Sequence, residues 1–348
     1  MDRQSVEAAW SKSRRLALRK YVGYAVVALL VLAACVVIAV IYGSVPLPVS
    51  DFFAAIYDPE NLPEASRIII FDLRLPRVEL AMVVGAALAL AGCGLQGILR
   101  NPLADPYIVG TSSGASLGAA LAIVCHIPNI TPYLPSTPIM AFLGAVLAML
   151  VVYKIARVNN VLPVETFLLA GVIVGSFTGA VVSLLMTVAG EDLHRVILWM
   201  MGTLGEAGST SLWLVLPYLV VGGVALFTCA VPLNIVGMGE ENAQALGVNV
   251  ERLKTVVVLA CSLMTAAAVS AVGMIGFLGL VVPHVTRMLV GPDHRLLMPI
   301  AAVNGASFLV IVDAAARVVA APQELPVGVL TALAGAPFFF WILKKRAV

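Results

Sequence analysis

The chain has 348 residues, 61% of them hydrophobic and only 11% charged, with a formal net charge of +2. Soluble domains carry roughly a quarter charged residues, so this composition excludes a surface hydrated on all sides and implies one that faces lipid. The small net charge, with no basic tract carrying interleaved aromatics, excludes a nucleic-acid partner.

Residues 1–20 are polar and basic, ending in RRLALRK, and read as a cytoplasmic N-terminal segment. The apolar run from Tyr21 to Tyr42 follows. At 1.5 Å per residue it crosses a hydrocarbon core of ~30 Å. It is longer than the core of a cleavable leader, so it reads as a retained first span. Further apolar runs cover roughly 78–98, 108–126, 138–155, 165–188, 212–231, 255–272, 274–290, 299–316 and 326–343. The pattern predicts an all-α, polytopic membrane protein of about ten transmembrane helices, with 21–348 as one membrane domain. The uncharged stretch from Thr255 to Pro283 is long for one span and short for two, and Gly273, Gly276 and Gly279 cluster inside it. We expect a full helix followed by a shorter, broken one, buried because lipid does not tolerate loose backbone groups.

Charge placement tests the count. With ten spans and the N-terminus inside, sixteen of the 21 Lys and Arg residues fall on the cytoplasmic side and five outside. This positive-inside bias places both termini in the cytoplasm. The long outer stretch 43–77 and the segment 189–211 are more than links, the latter beginning as a short amphipathic helix. The five cysteines lie far apart without a C-x-x-C pair and read as small buried hydrophobes, with no metal site.

An ion-coupled secondary transporter keeps ionisable groups at bilayer depth. Here Glu79, Asp313 and Glu165 sit near span ends. A membrane enzyme needs a catalytic constellation such as G-x-S-x-G or H-E-x-x-H, and neither occurs. No G-x-x-x-x-G-K-[ST] is present either, so nucleotide energy has to enter through a partner chain. Between the sixth and seventh spans, LNIVGMGEENAQALGVNVERLK (233–254) offers a short helix framed by glycines, with Glu240 and Glu241 at its dipole-favoured start and Gly247 at its end. It reads as a docking knob or as a solvated loop. Asn-Pro and Asp-Pro in RNPLADP (100–106) hold the inner connection between the second and third spans out of helix. Gly171, Gly175 and Gly179 share one helix face, which suits tight packing or the lining of a roomy path.

Four blocks carry a resemblance across nearly the whole chain. They are LRLPR (73–77) with GAALALAGCGLQGILRNPLADPYIVGTSSGAS (85–116); LLAGVIVG (168–175); GEENAQALGV (239–248); and GFLGLVVPHVTRMLVGPDHRLLMP (276–299) with ELPVGVLTALAGAPFF (324–339). The chain resembles the FecCD-type permeases of binding-protein-dependent ABC importers for siderophores, haem and cobalamin. The resemblance implies a type II importer permease fold without an ATPase site, working as a homodimer in the inner (cytoplasmic) membrane. It implies two ATP-binding partner subunits holding ATP and Mg, no cofactor in this chain, and a periplasmic or lipid-anchored substrate-binding protein. The cargo is a metal chelate, with iron–siderophore first and haem or cobalamin as alternatives. By the same resemblance Arg74, Arg77 and Arg317 receive the binding protein's carboxylates. Gly239, Glu240, Glu241, Gln244, Leu246 and Gly247 form the coupling helix. Asn101 and Leu103, with Val164, Glu165 and Thr166, form the cytoplasmic gate.

Overall fold

The computed structural model describes residues 3–131, 135–205 and 209–346, and no strand occurs among the described residues. Helix α1 (Arg3–Ile41) runs without a break through the basic segment into the first span. A short α2 (Val49–Tyr57) and α3 (Glu64–Arg67) follow, and a π-helical turn, Ile68–Arg74, joins α3 to α4 (Leu75–Ile98). The second span therefore begins well before residue 78. Pro76 explains the wide turn: it has no N–H to donate and its ring crowds the turn before it. The Leu75 amide bonds five residues back, to Ile70 O.

Next come α5 (Thr111–Val124), α6 (Ser136–Ala156), α7 (Val164–Val188), the short α8 (Leu193–Met201) and α9 (Ser209–Thr228). Two small helices, α10 (Ala230–Val236) and α11 (Glu240–Ala245), lead to α12 (Val250–Val272), α13 (Leu278–Val290), α14 (His294–Val318) and α15 (Val327–Arg346). Among the described residues seven helices are long and apolar enough to cross a membrane. Three shorter apolar ones, Thr111–Val124, Leu278–Val290 and Val327–Phe340, complete the ten expected runs. The outer segment 189–211 yields α8, whose Val196 is buried; its residues 206–208 lie outside the described residues.

Helices α4 and α12 form the centre, and α1 and α9 are mostly exposed. With no water to drive apolar surfaces together in lipid, close helix approach depends on small side chains. A methyl group on Gly85 would collide with the carbonyl of Gly305 in α14, and one on Gly92 with the carbonyl of Gly279 in α13. Gly114 and Gly144 lock α5 to α6 in the same way. Of the cysteines, Cys93, Cys229 and Cys261 are buried as expected, while Cys125, at the C-terminal end of α5, is exposed.

The expected break falls between α12 and α13. Gly273 (φ +73°) and Phe277 (φ +65°) take left-handed conformations, and the backbone between them leaves the helix. Ile275, midway along the break, has both of its backbone groups paired from another element, as burial in a membrane protein requires. The Tyr107 hydroxyl donates to Ile275 O and accepts from Ile275 N, both at 2.9 Å. Thr203 N donates to Val272 O at 2.8 Å, and Val327 N donates to Gly202 O at 3.0 Å. The ends of α8 and α12 and the start of α15 are thereby stitched together. Tyr107→Phe leaves both Ile275 groups unmade and should cost about 1–3 kcal/mol, read as a lower unfolding temperature of the detergent-solubilised chain. Tyr153→Phe is the milder control, because its partner Thr255 keeps a bond to Glu251 O.

Candidate functional site

At the end of the bundle read from the sequence as outer, α1 ends with carbonyls that no helical amide can satisfy. Two of the expected docking arginines serve them. Arg74 donates to Val40 O and Ile41 O, each at 2.7 Å, and also to Val45 O. Arg317 donates to Ala39 O at 2.9 Å. Arg77 grips Asp313 through Nε (2.9 and 3.0 Å) and Nη2 (2.8 Å), and reaches Glu324 through Nη1 at 2.7 Å. Arg317, one turn beyond Asp313, approaches the same carboxylate at 3.3 Å.

The structure thus brings the three arginines together, but they are buried and engaged inside the chain rather than presented outward. The physical reason is cost: a buried guanidinium needs a counter-charge or carbonyls, and Arg74 has carbonyls, Arg77 carboxylates and Arg317 one of each. They line an outer cleft of about 340 Å³ with Ser44, Asp72 and Glu324. Asp313, 1% exposed, is the shared counter-ion below it. Glu324 is the more open partner, its side chain 37% exposed. Sequence reasoning missed both carboxylates as partners, although the Asp313–Arg317 spacing of four is a readable ion-pair signal.

At the opposite end, read from the sequence as inner, RNPLADP leaves the helix as its two prolines dictate. Asn101 Oδ1 accepts Leu103 N at 2.9 Å, and Leu103 is exposed. Asp105 caps the turn through Tyr107 N at 2.8 Å, and burial pushes its carboxyl above the usual range. Gln96 ties this loop to α13, donating to Leu280 O and accepting from Arg287 Nη1, both at 3.0 Å. Asp293 caps α14 through Arg295 N and receives Asn234 Nδ2 at 2.6 Å. Hydrogen bonds from the Arg295 side chain, with Asn234 behind, hold its carboxyl down at about 2.

The glycine-framed knob forms as α11. Gly239 (φ +120°) opens it and Gly247 (φ +83°) closes it, conformations that side chains resist. Ala243 is its buried foot. Met238 (68% exposed) and Leu246 (66% exposed) stand out as apolar points, with Glu241 and Gln244 exposed between them. Glu240 turns inward to Lys254 at 2.9 Å. Met238, missed from the sequence, precedes the glycine frame.

Val164, Glu165 and Thr166 open α7 directly after the reversal at Asn159 and Asn160, both in the left-handed region. Val164 and Leu99 line one small cavity, so the α4–α5 connection and the start of α7 adjoin there. The glycine face of α7 divides. Gly171 packs on the Ile108 carbonyl, Gly175 has only Ser113 nearby, and nothing lies against Gly179.

Residues 30–345 match the FecCD transport family. The chain belongs to this family. Among its relatives, the Cobalamin import system permease protein BtuC of Halobacterium salinarum is 43% identical over 311 residues, covering 89% of this chain and 83% of that one. The Hemin transport system permease protein HmuU of Yersinia pestis is 39% identical over 283 residues, covering 79% and 83%. A solved inward-facing structure, of a transporter assigned to the metal-chelate type of ABC transporter, superimposes with a TM-score of 0.80 at 30% identity, covering 93% of this chain and 99% of that one. This FecCD chain is a multi-pass ABC importer permease, and its family implies ATPase and binding-protein partners.

In this FecCD permease Asp313→Asn leaves two buried guanidinia without their shared charge and should cost about 3–5 kcal/mol. Glu324→Gln, at a half-open position, should cost about 0–1 kcal/mol. Denaturant unfolding of both variants in detergent measures the contrast.

Proposed function

We propose that two copies of this chain form the passage of an ATP-driven importer in the inner membrane, with both termini cytoplasmic. Each copy seats an ATP-binding subunit on the Gly239–Gly247 knob. ATP and Mg are held by those partners, and this chain carries no cofactor of its own. The observation that carries the reading is the knob: a rigid, glycine-framed helix whose exposed tips are apolar, in a chain that lacks a P-loop. An apolar point standing in water suits a partner's pocket.

A periplasmic or lipid-anchored binding protein delivers the cargo at the outer cleft, where its carboxylates meet Arg74, Arg77 and Arg317. Docking there has to compete with Glu324 for Arg77. The segments Asn101–Leu103 and Val164–Thr166 close the inner exit.

The cargo is a metal chelate, with iron–siderophore as the first reading from sequence. The 43% identity to a cobalamin permease favours cobalamin as the second. Uptake by the assembled importer in vesicles, with labelled ferric siderophore, haem and cobalamin in competition, separates the three. Leu246→Glu should weaken co-purification of the ATP-binding subunit by about thirtyfold or more, the loss of one interface anchor, with the unfolding temperature unchanged. Undiminished co-purification overturns the knob as the docking site.

A further inference from the structure

Lys254 lies one turn into α12, and its side chain is only 5% exposed. Its ammonium sits between two carboxylates, Glu240 Oε2 at 2.9 Å and Glu251 Oε1 at 3.1 Å. Glu240 is the first residue of the knob helix α11. Glu251 is shared: its other oxygen, Oε2, accepts the backbone N–H of Leu162 at 2.7 Å. Leu162 stands two residues before Val164, where α7 begins.

The chain between α6 and α7 has no slack to absorb a pull. Val158 and Val161 bond each other's backbones at 3.0 and 2.9 Å across Asn159 and Asn160, a two-residue reversal with both φ angles positive. The stem of Lys254 runs along the small cavity lined by Leu99, Leu162, Val164 and Phe167. Leu99 closes the α4 end of the Asn101–Leu103 connection, and Val164 opens the other inner segment. One buried cation therefore meets the knob by charge and shares a cavity with Leu99, which precedes the Asn101–Leu103 segment, and with Val164, which opens the other.

We infer that Lys254 is a positioning residue that links the movement of the α11 knob to the cytoplasmic exit, acting through Glu251 and the Leu162 amide on the start of α7. The link rests on the reading of α11 as the seat of the ATP-binding subunit. A buried cation is a directional tie: Lys254, 5% exposed, cannot part from both carboxylates without stranding its charge in an apolar setting. Motion of Glu240 with the knob is passed to Glu251 and the 158–163 loop instead of being lost to solvent. A merely structural role would ask only for stability, and an apolar residue of similar length supplies that. Glu240 and Glu251 are about one third exposed and can be hydrated once the cation is gone.

The test uses the full chain assembled with its ATP-binding subunits in vesicles. A Val164→Cys probe in a Cys125→Ser background is labelled from the inner side by a membrane-impermeant maleimide. The expected result is an ATP-dependent change in labelling rate of at least tenfold. Lys254→Met should abolish that change while ATP hydrolysis and the unfolding temperature stay as in the parent, and Lys254→Arg should restore it. Glu251→Ala, which leaves Lys254 paired with Glu240, should also abolish it, and serves if Lys254→Met does not assemble. A normal ATP response in Lys254→Met, or in Glu251→Ala, overturns the link while leaving the importer reading intact. A parent assembly that does not recruit the ATP-binding subunit overturns the importer reading and the link with it.

Discussion

Water is scarce where this chain spends most of its length, and each polar group placed there has to be answered by another group of the same chain. The outer arginine cluster follows from that condition. The last carbonyls of α1 need donors, the donors are guanidinia, and the guanidinia need Asp313 and Glu324. The same condition places Tyr107 against Ile275 and Gln96 between α13 and the inner loop. Polar residues that look like candidate binding groups are in the first place the internal partners of backbone left over at helix ends and breaks.

The second condition is closeness. Helices α4, α13 and α14 meet at glycines whose neighbours are backbone carbonyls, so there is no room there for side-chain adjustment. Movement in such a bundle has to pass through the shift of whole helices, because packed interfaces of this kind are not continuously deformable. The softer place is the Gly175–Gly179 face of α7, where nothing packs against Gly179.

Helix number and type were legible because hydrophobic length is a strong signal in membranes, and because Gly273 and the prolines of RNPLADP mark where helices must stop. The knob was legible too, since glycines on both sides of EENAQAL leave few alternatives. The start of the second span was not. The apolar run reads from about residue 78, after an outer stretch 43–77, whereas a π-turn carries the helix through Pro76 from further upstream. Nor was the inward commitment of Arg74, Arg77 and Arg317 legible. Position near a span end shows that a charge is close to water. It does not show which carbonyls or carboxylates a long side chain finds, and those partners come from α1, α14 and the connection before α15, far apart in the sequence. Lys254 hid for the same reason, as one cation in an inner loop rich in acids.

The stitch that joins α8, α12 and α15 bears on biosynthesis. Gly202 O and Val272 O reach the membrane early, but Val327 N, the donor for Gly202, arrives only with the last helix. Until then the outer end of the bundle holds a carbonyl without its partner and a gap where Gly328 packs against Met201 and Met274. A ribosome stalled before α15 would therefore leave a bundle of nine inserted helices with an unsealed seam. Such a seam is the sort of feature by which quality control could tell an unfinished chain from a finished one.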